Sequence, residues 1–263
     1  MRSIVLMWAY RDFIVGSIRR EFFAKYVNSL LGAFWAIINP LAIVFIYILI
    51  FSQVMPVRMA GASTPFSYGI YLCSGIFAWS LFSQITDRSV SMFTQQAGLL
   101  KKVNFPRICL PVLAVAQPVV DFGIVFALFV LSLAAMGRFP GMPILAVLPL
   151  LGILVLLAAG LGLILGILNV FFRDAEQIFR IVVQFWFWLT PVVYPMTVLP
   201  DEVAAVVSWN PLTPLMTGLQ DVLSGGRWPD GASLVYPAIF ALVLCVAGVS
   251  LFRRHAGDIA DEL

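Results

Sequence analysis

The chain has 263 residues, 62% of them hydrophobic and only 11% charged, with 16 Lys and Arg against 13 Asp and Glu. Soluble domains carry about 25% charged residues, so too little charge is present to clothe a water-facing surface, and an ordinary soluble enzyme is excluded. The net charge of +3 is too small to imply a nucleic-acid partner; at ~20 apolar residues per crossing plus loops, the length corresponds to about six bilayer spans.

The opening MRSIVLMWAYRDF is not read as a signal peptide, because Arg11 and Asp12 break its apolar run and no small-residue cleavage site follows. Insertion is then directed by the first true span. Tyr10, Ile14, Ile18 and Phe22 recur every four residues, which places them on one helical stripe. Arg11, Arg19 and Arg20 lie off that stripe, and Glu21 is expected to pair with Lys25 at i,i+4. Residues 1–29 therefore read as an amphipathic helix in the cytoplasmic membrane interface, serving either as an anchor or as a docking point for a partner.

Six apolar segments follow, at residues 30–53, 66–86, 108–136, 144–172, 178–199 and 234–252. They are unbroken runs rather than the ~10-residue alternating segments of a barrel, so the expected fold is all-α: six transmembrane helices in one domain spanning residues 1–263. Residues 30–199 hold spans one to five, 200–232 an outer segment, 233–252 span six and 253–263 a tail. Orientation follows from the cations. Arg2, Arg11, Arg19, Arg20, Lys25, Arg88, Lys101, Lys102, Arg107, Arg173, Arg180, Arg253 and Arg254 fall on one side, and only Arg58, Arg138 and Arg227 on the other. Both termini are expected in the cytoplasm.

Residues 87–107 form the longest polar cytoplasmic connection, with a short helix expected over 90–100 that Asn104 to Pro106 would end. It is either a basic connector or a lever for a cytoplasmic partner. On the outer side, two apolar pieces at 203–209 and 212–223 are interrupted by Asn210-Pro211 and Pro214 and closed by Gly225-Gly226. They fit either two half-helices dipping back into the outer leaflet as a re-entrant hairpin or a plain outer loop; non-helical backbone is tolerated at depth only where protein or a water-filled cavity covers it.

Within the spans, Gly160, Gly162 and Gly166 read as a close-packing face for neighbouring helices. Asp121 is the one clear mid-span acid; it needs a polar partner or water, and Gln117 one turn earlier can hydrogen-bond it. Its expected role is structural or cavity-lining, with an ion-coupled transporter as the competing reading. Aromatic residues are dense: Trp35 and Tyr47 in the first span, Tyr71 and Trp79 in the second, Phe185, Trp186, Trp188 and Tyr194 in the fifth. Interface belts account for some, especially Tyr68, Tyr194 and Trp35. The other reading is a path for a sugar, whose C–H faces stack on rings while hydroxyls meet Tyr or Trp.

Chemistry-bearing motifs are sparse. There is no GxxxxGK[ST] phosphate loop and no GxGxxG. Cys73, Cys109 and Cys245 form no CxxC pair, and His255 is the single histidine, so no zinc or disulfide framework is expected. His255 with Asp201, Glu202, Asp221 and Asp230 makes no recognisable catalytic set.

Several segments, taken in order, resemble the membrane subunit of ABC-2 type polysaccharide-exporting ABC transporters. They are RREFFAKYVNSLLGAFWAIINPLAIVFIYILIFSQV at 19–54, LLKKVNFPRICLP at 99–111, NVFFRDAEQI at 169–178, WNPLTPL at 209–215 and LFRRHAGDIADEL at 251–263. SYGIYLCSGIFAW at 67–79 and the short tail look most like lipopolysaccharide O-antigen exporters, with capsule and teichoic acid exporters close to them. The resemblance implies a homodimer forming a channel in the bacterial inner membrane, with two copies of a separate ATPase below that hold ATP and Mg, and no cofactor in this chain. It implies a lipid-linked polysaccharide as substrate. Arg19, Arg20 and Lys25 are then candidates for its diphosphate headgroup, and Gln95, Gln96, Lys101, Lys102, Arg107, Arg173 and Asp174 for coupling to the ATPase.

Overall fold

The computed structural model describes residues 11–25, 34–54, 67–96, 98, 109–255, 257, 259 and 262. Among them every regular element is helical. In chain order these are α1 (Arg11–Ala24), α2 (Trp35–Val54), α3 (Ser67–Gln95), α4 (Cys109–Ala135), α5 (Val147–Phe171), α6 (Asp174–Trp188), α7 (Asp201–Ser208), α8 (Thr213–Gly225) and α9 (Val235–His255). Among the described residues, three stretches are long and apolar enough to cross a membrane: Cys109–Ala135, Met142–Phe171 (α5 with its short 3-10 lead-in) and Val235–His255.

The bundle is built around α3 and α5, which pack against each other along their length; α9 lies on α5, and α8 fills the angle between α3 and α5. The close approach depends on the predicted glycines. A Cβ on Gly160 would come within 2.6 Å of the Cys245 backbone nitrogen in α9, and one on Gly166 within 2.4 Å of the Ser89 carbonyl oxygen in α3. The two sides of this one glycine cluster thus seat two different helices. Away from α5, α9 exposes Tyr236, Ile239, Leu242, Val243 and Val246. Such an apolar outer stripe suits a bilayer and not water.

The structure corrects four expectations. The second apolar segment does not stop at residue 86 and give way to a separate helix over 90–100. Instead α3 runs unbroken for 29 residues to Gln95, because Ser89 to Phe93 are buried in contact with neighbouring helices. The fifth segment is not a continuous helix over 178–199. Helix α6 has 15 residues, about 22 Å at 1.5 Å per residue, and Pro191 prevents its continuation. Tyr68, read as an interface-belt residue, is buried and gives its hydroxyl to the Val193 carbonyl. The expected Glu21–Lys25 pair does not form, as described below. Of the coupling residues, Lys101, Lys102 and Arg107 lie outside the described residues.

Candidate functional site

At the end of α1 the stripe of Ile14, Ile18 and Phe22 is half-buried and Arg19 and Arg20 are exposed, as the sequence spacing requires. Arg20 donates to Ser17 Oγ, and the Arg19 guanidinium lies over the Phe23 ring at 5.8 Å. Glu21 and Lys25 turn to different helices. Glu21 pairs with Arg88 of α3, and Lys25, one residue past α1, pairs with Asp121 near the middle of α4. An exposed i,i+4 pair is worth only about 0.3–0.5 kcal/mol, so counter-charges on packed neighbours win both side chains. Gln117 Nε2 donates to Asp121 Oδ1 at 3.3 Å, as the sequence predicted, while its own Oε1 is buried with no partner. Phe22, Lys25, Trp35, Asn39, Ser80, Gln84 and Asp121 surround a cleft of about 210 Å³ here. This cleft brings together Trp35, expected on a sugar path, and Lys25, expected at a headgroup.

The other candidate region is the end of the bundle where α6 breaks. Residues 189–195 are irregular, and their carbonyls find side-chain donors in sequence. Asn210 Nδ2 reaches Leu189, Gln220 Nε2 reaches Pro191 and Val192 at 3.0 Å each, Tyr68 reaches Val193 and Tyr71 reaches Tyr194 at 2.9 Å each. Buried carbonyls left without donors cost about 1–3 kcal/mol each, which explains why an irregular stretch is held so densely. Asn210 is the staple: its Nδ2 also donates to Thr190 Oγ1, and its Oδ1 accepts from Trp186 Nε1 and from the Leu212 backbone. Gly75 permits the approach of α3, since a Cβ there would lie 2.5 Å from the Val192 carbonyl oxygen. Helices α7 and α8 correspond closely to the two apolar pieces read from the sequence. Gly226, at φ 57°, closes α8 in the left-handed conformation.

The predicted aromatic residues separate into two groups. Tyr71, Trp79 and Trp186 are committed to the interior. Tyr71 is buried, Trp79 meets Phe82 and Phe187, and Trp186 packs edge-on to Phe82 while donating to Asn210. Tyr47 is half-buried against the same core, and Tyr194 is half-buried with its hydroxyl on the Trp188 carbonyl at 2.7 Å. In contrast, Phe185 is 65%, Trp188 62% and Trp35 44% exposed.

At the α5–α6 turn, Arg173 and Asp174 are exposed, as are Gln95 and Gln96 at the end of α3. Asn169 clamps this turn: its Nδ2 donates to the Val90 carbonyl and its Oδ1 accepts from the Glu176 backbone nitrogen. Sequence reasoning missed Asn169, Asn210 and Gln220 as organising residues. The available signal was a polar amide inside, or at the edge of, an apolar run, which must find a partner.

The model of the ABC-2 type transporter family matches residues 14–224 of the chain. The chain is 29% identical over the full length of both chains to an O-antigen export system permease protein, RfbA, of Myxococcus xanthus. It is 28% identical to the protein of the same name from Klebsiella pneumoniae, covering 96% of this chain and 95% of that one. The polysialic acid transport protein KpsM of Escherichia coli is 25% identical over 90% of each chain.

Proposed function

Because the chain belongs to the ABC-2 type transporter family, we propose that it is the channel-forming permease subunit of an ATP-driven exporter of lipid-linked polysaccharide, O-antigen being the first candidate. The observation that carries this reading is the end-to-end likeness to O-antigen export permeases. A capsule-type polymer is the second reading, favoured by the likeness to the polysialic acid transport protein.

In this reading the chain lies in the bacterial inner membrane with both termini in the cytoplasm. Helices α2, α3, α4, α5 and α9 cross it, α6 with residues 189–199 makes the remaining passage, and α7 and α8 form a re-entrant hairpin from the outer side. The side-chain donors that meet the carbonyls of 191–194 support that hairpin, since irregular backbone at membrane depth must be satisfied by protein. Two copies of the chain assemble with two ATP-binding subunits, which hold ATP and Mg. Gln95, Gln96, Arg173 and Asp174, exposed at one end of the bundle, are the described candidates for contact with them.

For the polymer, the exposed Trp35, Phe185 and Trp188 are the rings able to meet a passing sugar. Their weak, poorly directional stacking suits a chain that must slide. Arg19 and Arg20 remain candidates for the diphosphate, because they stay exposed on α1. Lys25 is a weaker one, its charge being answered by Asp121. That same pairing favours a structural Asp121 over an ion-coupled transporter. The test is reconstitution of the chain with its ATP-binding subunit in vesicles: ATP-dependent movement of lipid-linked polysaccharide is expected. ATP-independent movement driven by a proton gradient through the chain alone would replace this reading with the ion-coupled one.

A further inference from the structure

The two ion pairs around α1 have opposite polarity. Glu21 and Lys25 stand one helical turn apart on the N-terminal segment, an anion followed by a cation; they meet a cation on α3, Arg88, and an anion on α4, Asp121. Any arrangement that brought Glu21 to Asp121, or Lys25 to Arg88, would oppose like charges. Such juxtapositions are strongly disfavoured where solvent is partly excluded. All four side chains are partly shielded, at 22 to 41% exposed. Asp121 is further held by Gln117, whose second amide atom is buried. The apolar stripe of α1 has no such discrimination, because Ile14, Ile18 and Phe22 are separated by one turn each and a slip of one turn replaces like with like.

We propose that Glu21, Lys25, Arg88 and Asp121 are positioning residues that lock the register of the N-terminal helix against α3 and α4. A push delivered to α1 from the cytoplasmic side then reaches the middle of α4 instead of sliding along the membrane surface. Asp121 is kept at mid-span for this purpose, although an unpaired acid there is costly to insert.

The proposal rests on the transport reading for its readout, and its test conserves composition. Glu21→Lys combined with Lys25→Glu leaves net charge and the i,i+4 spacing unchanged but crosses both pairs. In the full complex with its ATP-binding subunit, export of lipid-linked polysaccharide is expected to fall at least about tenfold. Adding Arg88→Glu and Asp121→Lys, which restores opposite charges at both contacts, is expected to return export to within about threefold of the parent. Normal export by the crossed chain overturns the proposal, and so does failure of the reciprocal changes to rescue it. A parent complex that moves no polysaccharide under ATP would instead overturn the transport reading, so the two failures are distinguishable.

Discussion

The two candidate regions organise polar groups by different means. Around the N-terminal helix, the structure uses formal charge: two ion pairs, partly hydrated, surrounding a cleft. At the α7–α8 end it uses neutral amides and phenols, with Asn210, Gln220, Tyr68 and Tyr71 each placed on backbone carbonyls. Charge tolerates small displacements, because Coulomb attraction falls off slowly with distance; a hydrogen bond weakens steeply with angle and length. The first region therefore tolerates small displacements that the second does not. A helix that must transmit a push is held by pairs that survive an ångström of motion, while the break in α6 is fixed.

Gln220→Leu would sharpen that contrast most. It removes the donor to the Pro191 and Val192 carbonyls, and a loss of about 2–5 kcal/mol in stability is expected, read as a lowered unfolding midpoint in detergent. Next comes the pair Trp186→Phe and Trp188→Ala. Trp186→Phe removes the indole donor to Asn210 Oδ1, which keeps the Leu212 backbone donor, so about 0.5–1.5 kcal/mol is expected to be lost. Trp188→Ala removes an exposed ring and is expected to change stability by no more than about 0.5 kcal/mol while impairing export. Normal export by the Trp188 variant would return that ring to the interface belt. The smallest effect is expected at the charged region. Asp121→Asn keeps an acceptor for Lys25, which is itself partly solvated, so stability should fall by about 1 kcal/mol or less and export only in part. Complete loss of export in a folded Asp121→Asn chain would favour ion coupling.

Much of the fold was legible because membrane physics writes long signals. The apolar runs that became α4, α5 and α9 needed only counting, and the glycines of α5 announced close packing that Cys245 and Ser89 now occupy. The short helices α7 and α8 were legible from Asn210-Pro211 and the terminal glycines. The break in α6 at Pro191 was not read, since the apolar character continues through Val192 and Val193 while the backbone does not. The pairing of Lys25 was also hidden. Local spacing offers Glu21 at i−4, and only the tertiary approach of α4 supplies Asp121, 96 residues away. The aromatic residues illustrate the same limit: composition alone cannot tell Trp186, turned inward to Asn210, from Trp188, turned outward two residues later.

In the proposed reading this chain is a passage whose energy comes from a separate subunit. The most direct measurement is transport of lipid-linked polysaccharide into vesicles holding the purified chain, with and without the ATP-binding subunit and with and without ATP. Export is expected only when both subunit and ATP are present, with no ATP hydrolysis by the chain alone. Export at an undiminished rate by the chain without the subunit would contradict it.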